Sequence, residues 1–243
     1  HFLMLDAQLS LAHEVVSKAL LLTQSDYYFQ QAVHLERRQQ PNFEEAALMY
    51  GRSIAKNPLN SAALTNLAVL EWYHNIDTTK ALYAIEDEII KAKPLPKGYN
   101  MPKRKPYERN RQFIEKKTVE LLNRAIAADI SRENFIAHYH IAFIYETSVG
   151  DATKAREHYS RALEINPDHM HSHTNLASLL MDEKLYDKAL HHYEQAKVLA
   201  PDQVLVYLNL ANCLGRKGSI EAAVKEMQKA IRRDPSMPHL HYH

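Results

Sequence analysis

The sequence predicts an all-α protein, a right-handed α-solenoid of stacked helix-turn-helix units. The first observation is a fixed spacing of 34 residues, which is shared by three sets of residues: Pro167, Pro201 and Pro235; Ala155, Ala189 and Ala223; Ala162, Ala196 and Ala230. A fixed period of this length indicates one supersecondary unit that is copied and stacked along the chain. The second observation is composition: the 243 residues include only 5 glycines. With few β-branched runs and no hairpin signal, a β-sheet is not expected.

The unit from residue 170 to 203 shows the physical cause of the spacing. Apolar residues recur on one face of a first helix, a polar turn follows at 182–184, and alanines with one tyrosine recur on one face of a second helix. Alanine lets two helix axes approach closely. Pro201 ends the unit because it cannot continue a helix and biases Ala200 toward extended backbone.

These positions resemble the tetratricopeptide repeat (TPR) family. That pattern has a large residue at position 4, Leu-Gly/Ala at 7 and 8, an apolar residue at 11, Ala at 20, an aromatic at 24, Ala at 27 and Pro at 32. At these positions the unit from residue 170 reads His173, Leu176, Ala177, Leu180, Ala189, Tyr193, Ala196 and Pro201. The units that begin at residues 135 and 204 match similarly, the former with one extra residue near Gly150. The resemblance implies an array that binds other proteins.

The same register divides the chain into repeats. The predicted segments are a half repeat at 1–26, repeats at 27–60, 61–94, 95–134, 135–169, 170–203 and 204–237, and the start of a further repeat at 238–243. The half repeat is the second helix of a unit, since Ala12, Val16 and Ala19 fall one period ahead of Ala46, Tyr50 and Ser53. These half units lead us to expect a segment of a longer array.

The repeat at 95–134 is degenerate. Its second helix is expected at about 107–129, but prolines at 94, 96, 102 and 106 forbid a first helix. An extended basic arm, residues 94–111, takes that helix's place. Its basic residues include Lys97, Lys103, Arg104, Lys105, Arg109 and Arg111. The arm is either a solvated surface excursion, which we favour, or a grip for an acidic partner or a phosphate backbone.

Charge and motifs exclude several classes of function. The net charge of +1 gives no bulk attraction to nucleic acid. The sequence has no Gly-rich phosphate loop, nucleophile elbow or His-Glu-x-x-His helix, so we expect neither an enzyme nor a cofactor. Among the 15 histidines, the alternating His169, His171 and His173 lie where a turn runs into a helix, and His138 and His173 occupy a packing position, so no metal site is expected. The single cysteine, Cys213, reads as a small buried hydrophobe, and no apolar stretch reaches membrane-spanning length. An intracellular, cytoplasmic location is expected.

Binding residues are predicted on the first helices, which line the inner surface of such arrays. Position 6 holds Asn66, Asn175 and Asn209, with His140 at the matching place in the unit that has the extra residue. Asn212 lies one turn beyond Asn209. An asparagine offers a donor and an acceptor together, so a row of them can hold an extended chain by its backbone. The alternative is a position that merely tolerates polar groups.

This asparagine ladder resembles the arrays of O-linked N-acetylglucosamine transferase and of kinesin light chains, whose repeats bind extended peptide. No glycosyltransferase domain accompanies it here. The expected function is therefore a non-catalytic scaffold, a TPR subunit of a larger multiprotein assembly. The alternatives are an adaptor that holds an extended segment in its concave groove, an accessory region of a larger enzyme, or RNA contact through the basic arm.

Overall fold

A computed structural model describes residues 2–92, 104, 106–129 and 134–234, with side chains from residue 14 onward. The fold is all-α, as predicted, and its helices pack as stacked TPR helix-turn-helix repeats. The helices of the described part are α1 (Phe2–Glu36), α2 (Phe43–Lys56), α3 (Ser61–Tyr73), α4 (Thr78–Lys91), α5 (Arg111–Ala128), α6 (Phe135–Ile144), α7 (Ala152–Ile165), α8 (Met170–Asp182), α9 (Tyr186–Leu199), α10 (Val204–Lys217) and α11 (Ile220–Arg233). None of these helices is both long and apolar enough to cross a membrane.

The chain forms two compact units, residues 1–137 and residues 138–243. In the second unit α8 packs against α9, and α10 packs against α11. Most of the alanines predicted at the helix crossings are buried: Ala155, Ala162, Ala177, Ala189 and Ala196 are each 0% exposed, whereas Ala223 of α11 is half-buried. The rings of Tyr159 and Tyr193 fill the space beside them. Small residues at the crossings and one large ring per repeat therefore produce the close helix pairing.

The extra residue near Gly150 is accommodated by a π-helical turn. Residues Tyr145–Val149 continue α6 with π geometry, and Gly150 then ends the element at a φ of 75°. A π turn absorbs a one-residue insertion without breaking the helix, and glycine adopts the left-handed region at no steric cost. The insertion thus lies at the end of α6 and not in the loop that follows.

In the first unit α1 differs from expectation. It is one continuous helix through residues 26 and 27, where the sequence predicts the end of a half repeat and the start of the next repeat. No proline or glycine interrupts this stretch, so nothing forces a break. Its described N-terminal part exposes apolar side chains: Val15, Val16, Leu20, Leu21 and Leu22 are between 43% and 67% exposed.

The packing of α3 also differs from the predicted repeats. The sequence pairs α3 with α4 in one repeat and assigns α5 to the next, but α3 packs extensively against α5 and only slightly against α4. The α4 helix packs against α2 instead. Gly51 of α2 permits this approach, since a Cβ there would lie 2.3 Å from Ile85 Cδ1 of α4.

Two capping asparagines join α3 to other helices of the first unit. Asn60 caps α3 and donates from Nδ2 to Ser53 Oγ at 2.9 Å and to Ser25 Oγ at 3.2 Å. Asn134 caps α6 and donates from Nδ2 to Ser61 Oγ at 2.7 Å and Thr65 Oγ1 at 3.0 Å. The start of α6 is therefore bonded directly to the first turn of α3. The stretch of chain between the paired helices α3 and α5, residues 74–110 in sequence, contains α4 and is called the excursion.

A buried carboxylate anchors this excursion. Glu71, on α3, is 0% exposed and accepts a hydrogen bond from Arg109 Nη2 at 2.8 Å. Its other oxygen accepts from the backbone nitrogen and the hydroxyl of Thr78. Glu71 stands at position 11 of the TPR pattern, which Leu180 and Leu214 occupy in later repeats. A charge replaces an apolar residue here because both ends of the excursion bind it.

Candidate functional site

The predicted binding residue Asn175 takes part in a chain of three polar side chains. Its Nδ2 donates to the phenolic oxygen of Tyr159 at 2.9 Å, and Tyr159 donates to Glu146 Oε2 at 2.6 Å. Tyr159 is buried, and burial together with Glu146 raises the pKa of its phenol. Burial also raises the pKa of Glu146, against the opposing effect of the hydrogen bond from Tyr159.

The first unit contains the same arrangement. Asn66 donates from Nδ2 to the phenolic oxygen of Tyr50 at 2.9 Å, and Tyr50 is hydrogen-bonded to Glu36. In both cases the asparagine follows the tyrosine by 16 residues, so position 6 of one repeat bonds to position 24 of the repeat before it. The bond is thus a recurrent feature of the helix packing.

The hydroxyl fixes which way the amide is turned. A tyrosine hydroxyl has one hydrogen, and in Tyr159 the carboxylate of Glu146 receives it, so the oxygen can only accept from Asn175. The amide of Asn175 also hydrogen-bonds the phenol of Tyr139, and its carbonyl oxygen Oδ1 remains for other partners. Asn175 is half-buried, which leaves part of its amide accessible.

The other predicted binding residues lie in different surroundings. Asn209 is half-buried on α10, 16 residues after Tyr193, but makes no hydrogen bond to that phenol, which is bonded to Ser178. Asn212 is exposed on the same helix. His140, on α6, is half-buried, and burial with the nearby imidazole of His169 lowers its pKa to about 4. In the second unit α8 and α10 are neighbours, whereas Asn66 belongs to the first unit.

The described arginines of the basic arm bond within the first unit. Arg104 pairs with Glu86 at 2.6 Å and with Asp87 at 2.8 Å. Arg109 pairs with the buried Glu71 and donates to Asn75 Oδ1 at 2.6 Å and to the carbonyl of Ile76 at 2.9 Å. These guanidinium groups already have carboxylate partners, which leaves them poorly placed to bind phosphate.

The remaining basic residues divide into two groups. Arg111 pairs with Glu115 at 3.2 Å on the surface of α5. Lys97, Lys103 and Lys105 lie outside the described residues.

Two histidine pairs in the second unit each join the two helices of one repeat. Nδ1 of His138 lies 3.1 Å from Nδ1 of His158, and Nδ1 of His173 lies 2.9 Å from Nδ1 of His192. His173 also bonds through Nε2 to the carbonyl oxygen of Pro167 at 2.8 Å. If Nε2 of His173 is the donor, its Nδ1 accepts from His192, and both rings are neutral. Among the described residues no group of three His, Cys, Asp or Glu side chains is placed to hold a metal ion.

These pairs were not predicted from the sequence. Position 4 was expected to pack through size alone, and the second partner lies near position 23, which the repeat pattern leaves open. The available signal was the spacing, since His158 and His192 are 34 residues apart.

Solved structures share this fold. The chain is similar to the MamA protein, with 16% identity over 90% of this chain and 92% of that chain and a TM-score of 0.53. MamA from Desulfovibrio magneticus RS-1 is 12% identical over 88% of this chain and 97% of that chain, with a TM-score of 0.57. YrrB, described as a TPR protein with an unusual peptide-binding site, is 15% identical over 88% of this chain and 89% of that chain, with a TM-score of 0.56. At these identities the likeness shows the fold alone.

A comparison with curated protein sequences finds no match. A profile of the tetratricopeptide repeat matches residues 35–95, 143–204 and 174–238, which together make up more than half of the chain. The helix pairing, the buried alanines and the matched residues agree: the chain belongs to the tetratricopeptide repeat family.

Proposed function

We propose that this chain is a non-catalytic protein-interaction scaffold that holds an extended segment of a partner along α8 and α10. The observation that carries the proposal is the orientation of Asn175, whose amide is fixed by Tyr159. Amides held in one orientation bind a peptide backbone with less loss of side-chain entropy than mobile ones. The rival interpretation, a position that merely tolerates polar groups, gives no reason for the recurrent bond to a buried phenol.

The partner's backbone supplies the group that Asn175 leaves unmatched. The carbonyl oxygen Oδ1 of Asn175 accepts a backbone N–H of the extended segment. Asn209, one repeat further on, extends the contact along the segment. Backbone contacts of this kind give affinity with modest sequence preference. The TPR likeness to YrrB, a protein described by its peptide-binding site, is consistent with this mode.

The test is a peptide selection on the full chain. A random peptide library is displayed against the immobilised protein, and the tightest binder is measured against Asn175→Ala with Asn209→Ala. Two lost amide contacts should weaken binding by about 1–3 kcal/mol, or roughly five- to 150-fold. Gln228→Ala, which removes an exposed amide on α11, is the matched control and should retain the affinity. Unchanged affinity in the folded double variant would refute this binding mode.

A second candidate is that the chain is a fixed subunit of a multiprotein assembly. The exposed apolar side chains of α1 favour it, since Val16 is 67% and Leu20 is 58% exposed. An adjacent run of this kind is typical of a surface that another helix covers. Crosslinking mass spectrometry on the native complex should then place inter-protein links to Lys18. Links from Lys18 only within this chain would argue against the fixed subunit.

A further inference from the structure

A cavity of about 270 Å³ lies in the first unit beside the excursion between α3 and α5. Three aromatic rings line it: Tyr83 from α4, Tyr107 from the segment before α5, and Phe113 from α5. The rings of Tyr107 and Phe113 are stacked with centroids 5.0 Å apart, and Tyr83 meets Tyr107 edge to face at 6.5 Å. The cavity is smaller than a site for a drug-sized ligand and has room for one large side chain.

Contacts outside the cavity hold these rings. The hydroxyl of Tyr107 donates to the carboxylate of Asp77 at 3.0 Å, and Asp77 also caps α4. The guanidinium carbon of Arg104 lies 4.3 Å from the centroid of Tyr83 while Arg104 pairs with carboxylates of α4. Arg104, for which the sequence favoured a solvated surface position over a grip on an acidic partner, therefore supports an aromatic wall. Because the three rings are already held in place, binding of a ligand costs little conformational entropy for ordering them.

One polar group of the cavity lining, the hydroxyl of Thr79, has no hydrogen-bond partner. Thr79 lines the cavity, is only 5% exposed, and its hydroxyl oxygen is buried without a hydrogen-bond partner. A buried hydroxyl without a partner costs free energy that a ligand's polar atom can recover. Rotation about χ1 exchanges the hydroxyl and the methyl group, so the hydroxyl can turn toward a ligand.

The rim of the cavity carries two lysines and one carboxylate. Lys116, Lys117 and Glu120 all line it. Lys117 lies 3.5 Å from Glu120, whereas Lys116 is exposed and makes no ion pair with any residue that the structure describes. The rim therefore complements a partner that carries carboxylates beside the anchoring side chain.

We propose that this cavity binds a tyrosine side chain of an acidic partner segment. The partner's ring packs on the aromatic wall, its hydroxyl bonds to Thr79, and flanking Asp or Glu residues pair with the lysines at the rim. The inference rests on the proposed function of protein binding, but it uses a different surface from that of Asn175. The cavity would select one type of side chain, whereas the asparagines bind backbone groups that are the same in any sequence.

The test uses a fluorescein-labelled peptide, Glu-Asp-Glu-Tyr-Glu-Asp-Glu, and fluorescence anisotropy on the full chain. Versions with Phe, or with Ala, in place of the tyrosine and a version with lysines in place of the acids are the comparison probes. We expect the Ala and lysine versions to bind at least about tenfold more weakly, and the Phe version to bind severalfold more weakly than the Tyr version.

Two variants locate the contacts. Thr79→Val should remove the preference for Tyr over Phe without lowering the melting temperature, because the lost hydroxyl has no partner in the free protein. Lys116→Glu should weaken the Tyr and Phe peptides by about tenfold each. The Asn175→Ala, Asn209→Ala double variant is the control and should bind the acidic peptide as the native chain does.

The outcomes are distinguishable from failure of the proposed function. If the Ala peptide binds as well as the Tyr peptide, or Thr79→Val keeps the preference for Tyr, the cavity proposal is overturned. The peptide selected on the full chain would still test the site of Asn175 and Asn209 when it is measured against the asparagine double variant. If that peptide loses nothing in the asparagine variant while the acidic peptide behaves as expected, only the first proposal fails.

Discussion

The side-chain amide of Asn175 donates to the phenolic oxygen of Tyr159 across two successive repeats, at 2.9 Å. Asn66 makes the same bond to Tyr50 at the same distance. A position predicted to bind partners is thus also a contact between repeats, and each role constrains the other. The amide bonds inward through Nδ2, which leaves its acceptor oxygen for a ligand.

Replacing Tyr159 with phenylalanine should affect stability and binding together. The change leaves the half-buried Glu146 and the amide of Asn175 without their shared partner, at a cost of about 1–2 kcal/mol in the free energy of unfolding. The freed amide also loses its fixed orientation, so the selected peptide should bind severalfold more weakly. Urea unfolding and peptide titration measure the two effects.

The matched control is Tyr193→Phe in the next repeat. Tyr193 is equally buried, but its phenol does not bond to Asn209. This variant should lose some stability and keep its peptide affinity. Equal losses of affinity in the two variants would show that Tyr159 acts through packing and not by orienting Asn175.

The buried ion pair between Arg109 and Glu71 supports a second prediction. Arg109→Ala leaves the carboxylate of Glu71, at 0% exposure, without its cationic partner. Breaking such a pair costs about 3–5 kcal/mol. Arg111→Ala removes an exposed pair with Glu115 on the same basic arm and should cost no more than about 1 kcal/mol. Denaturant unfolding measures both; similar small losses would mean that Glu71 is not an anchor.

The sequence predicted the second unit well because its repeats are made by local chemistry. Alanine at the crossings, a large side chain beside them (Tyr193 in one repeat, Met227 in the next) and a terminal proline specify the pairs α8/α9 and α10/α11 with few alternatives. Asn175 could be named from its position alone. Its bond to Tyr159 could not, because the repeat pattern says nothing about which side chains of two repeats touch.

The first unit was harder to predict, because its packing depends on distant residues. The period assigned α4 to the repeat of α3, since α4 follows directly and carries Ala81 and Ile85 at suitable positions. The structure places α5 against α3 instead. The signal in the sequence was Glu71, a charged residue at an apolar position of the pattern, although its partner Arg109 is 38 residues away. Likewise the cavity lining comes from three separated segments.

The histidine pairs predict a loss of stability on mild acidification. Burial and the neighbouring imidazole lower the pKa of both His138 and His192 to about 4, and burial also lowers the pKa of His158 and His173. In the unfolded chain histidine titrates near 6.5. Above that pH these histidines are neutral in both the folded and the unfolded chain, and their contribution to the free energy of unfolding is fully present. Between about pH 6.5 and pH 4 these histidines bind protons in the unfolded chain but stay neutral in the folded chain. The free energy of unfolding therefore falls as the pH falls.

The chain itself supplies the control for this effect. Tyr207 occupies the place of His173 one repeat later and donates to the carbonyl of Pro201 at 2.8 Å, as His173 Nε2 contacts that of Pro167. His173→Tyr should therefore fold and should show a shallower decline of unfolding free energy between pH 7 and pH 5. Urea titrations at four pH values measure the slopes. A slope as steep as that of the native chain would exclude the His173–His192 pair as a source of the effect.

Alanine at the helix crossings should not tolerate enlargement. Ala189 is 0% exposed within the core that also contains Tyr159 and Tyr193. Ala189→Leu adds three carbon atoms at a close approach and should cost about 1–3 kcal/mol through overpacking. Ala152→Leu, at an exposed position of α7, is the control and should leave the thermal melt nearly unchanged. An unaffected melt for Ala189→Leu would place the crossing elsewhere.

The pairing of α3 with α5 predicts that the excursion between them can be removed. Residues 74–110 would be replaced by the turn sequence of 183–185, which joins α8 to α9. With Glu71 retained, the shortened chain buries a carboxylate that has lost Arg109 and Thr78, and it should unfold at low denaturant. With Glu71→Leu, which matches Leu180 of the later repeat, the same chain should fold and recover several kcal/mol. Circular dichroism with urea unfolding compares the two. If the leucine version is no more stable than the glutamate version, α3 and α5 do not form one repeat that the excursion divides.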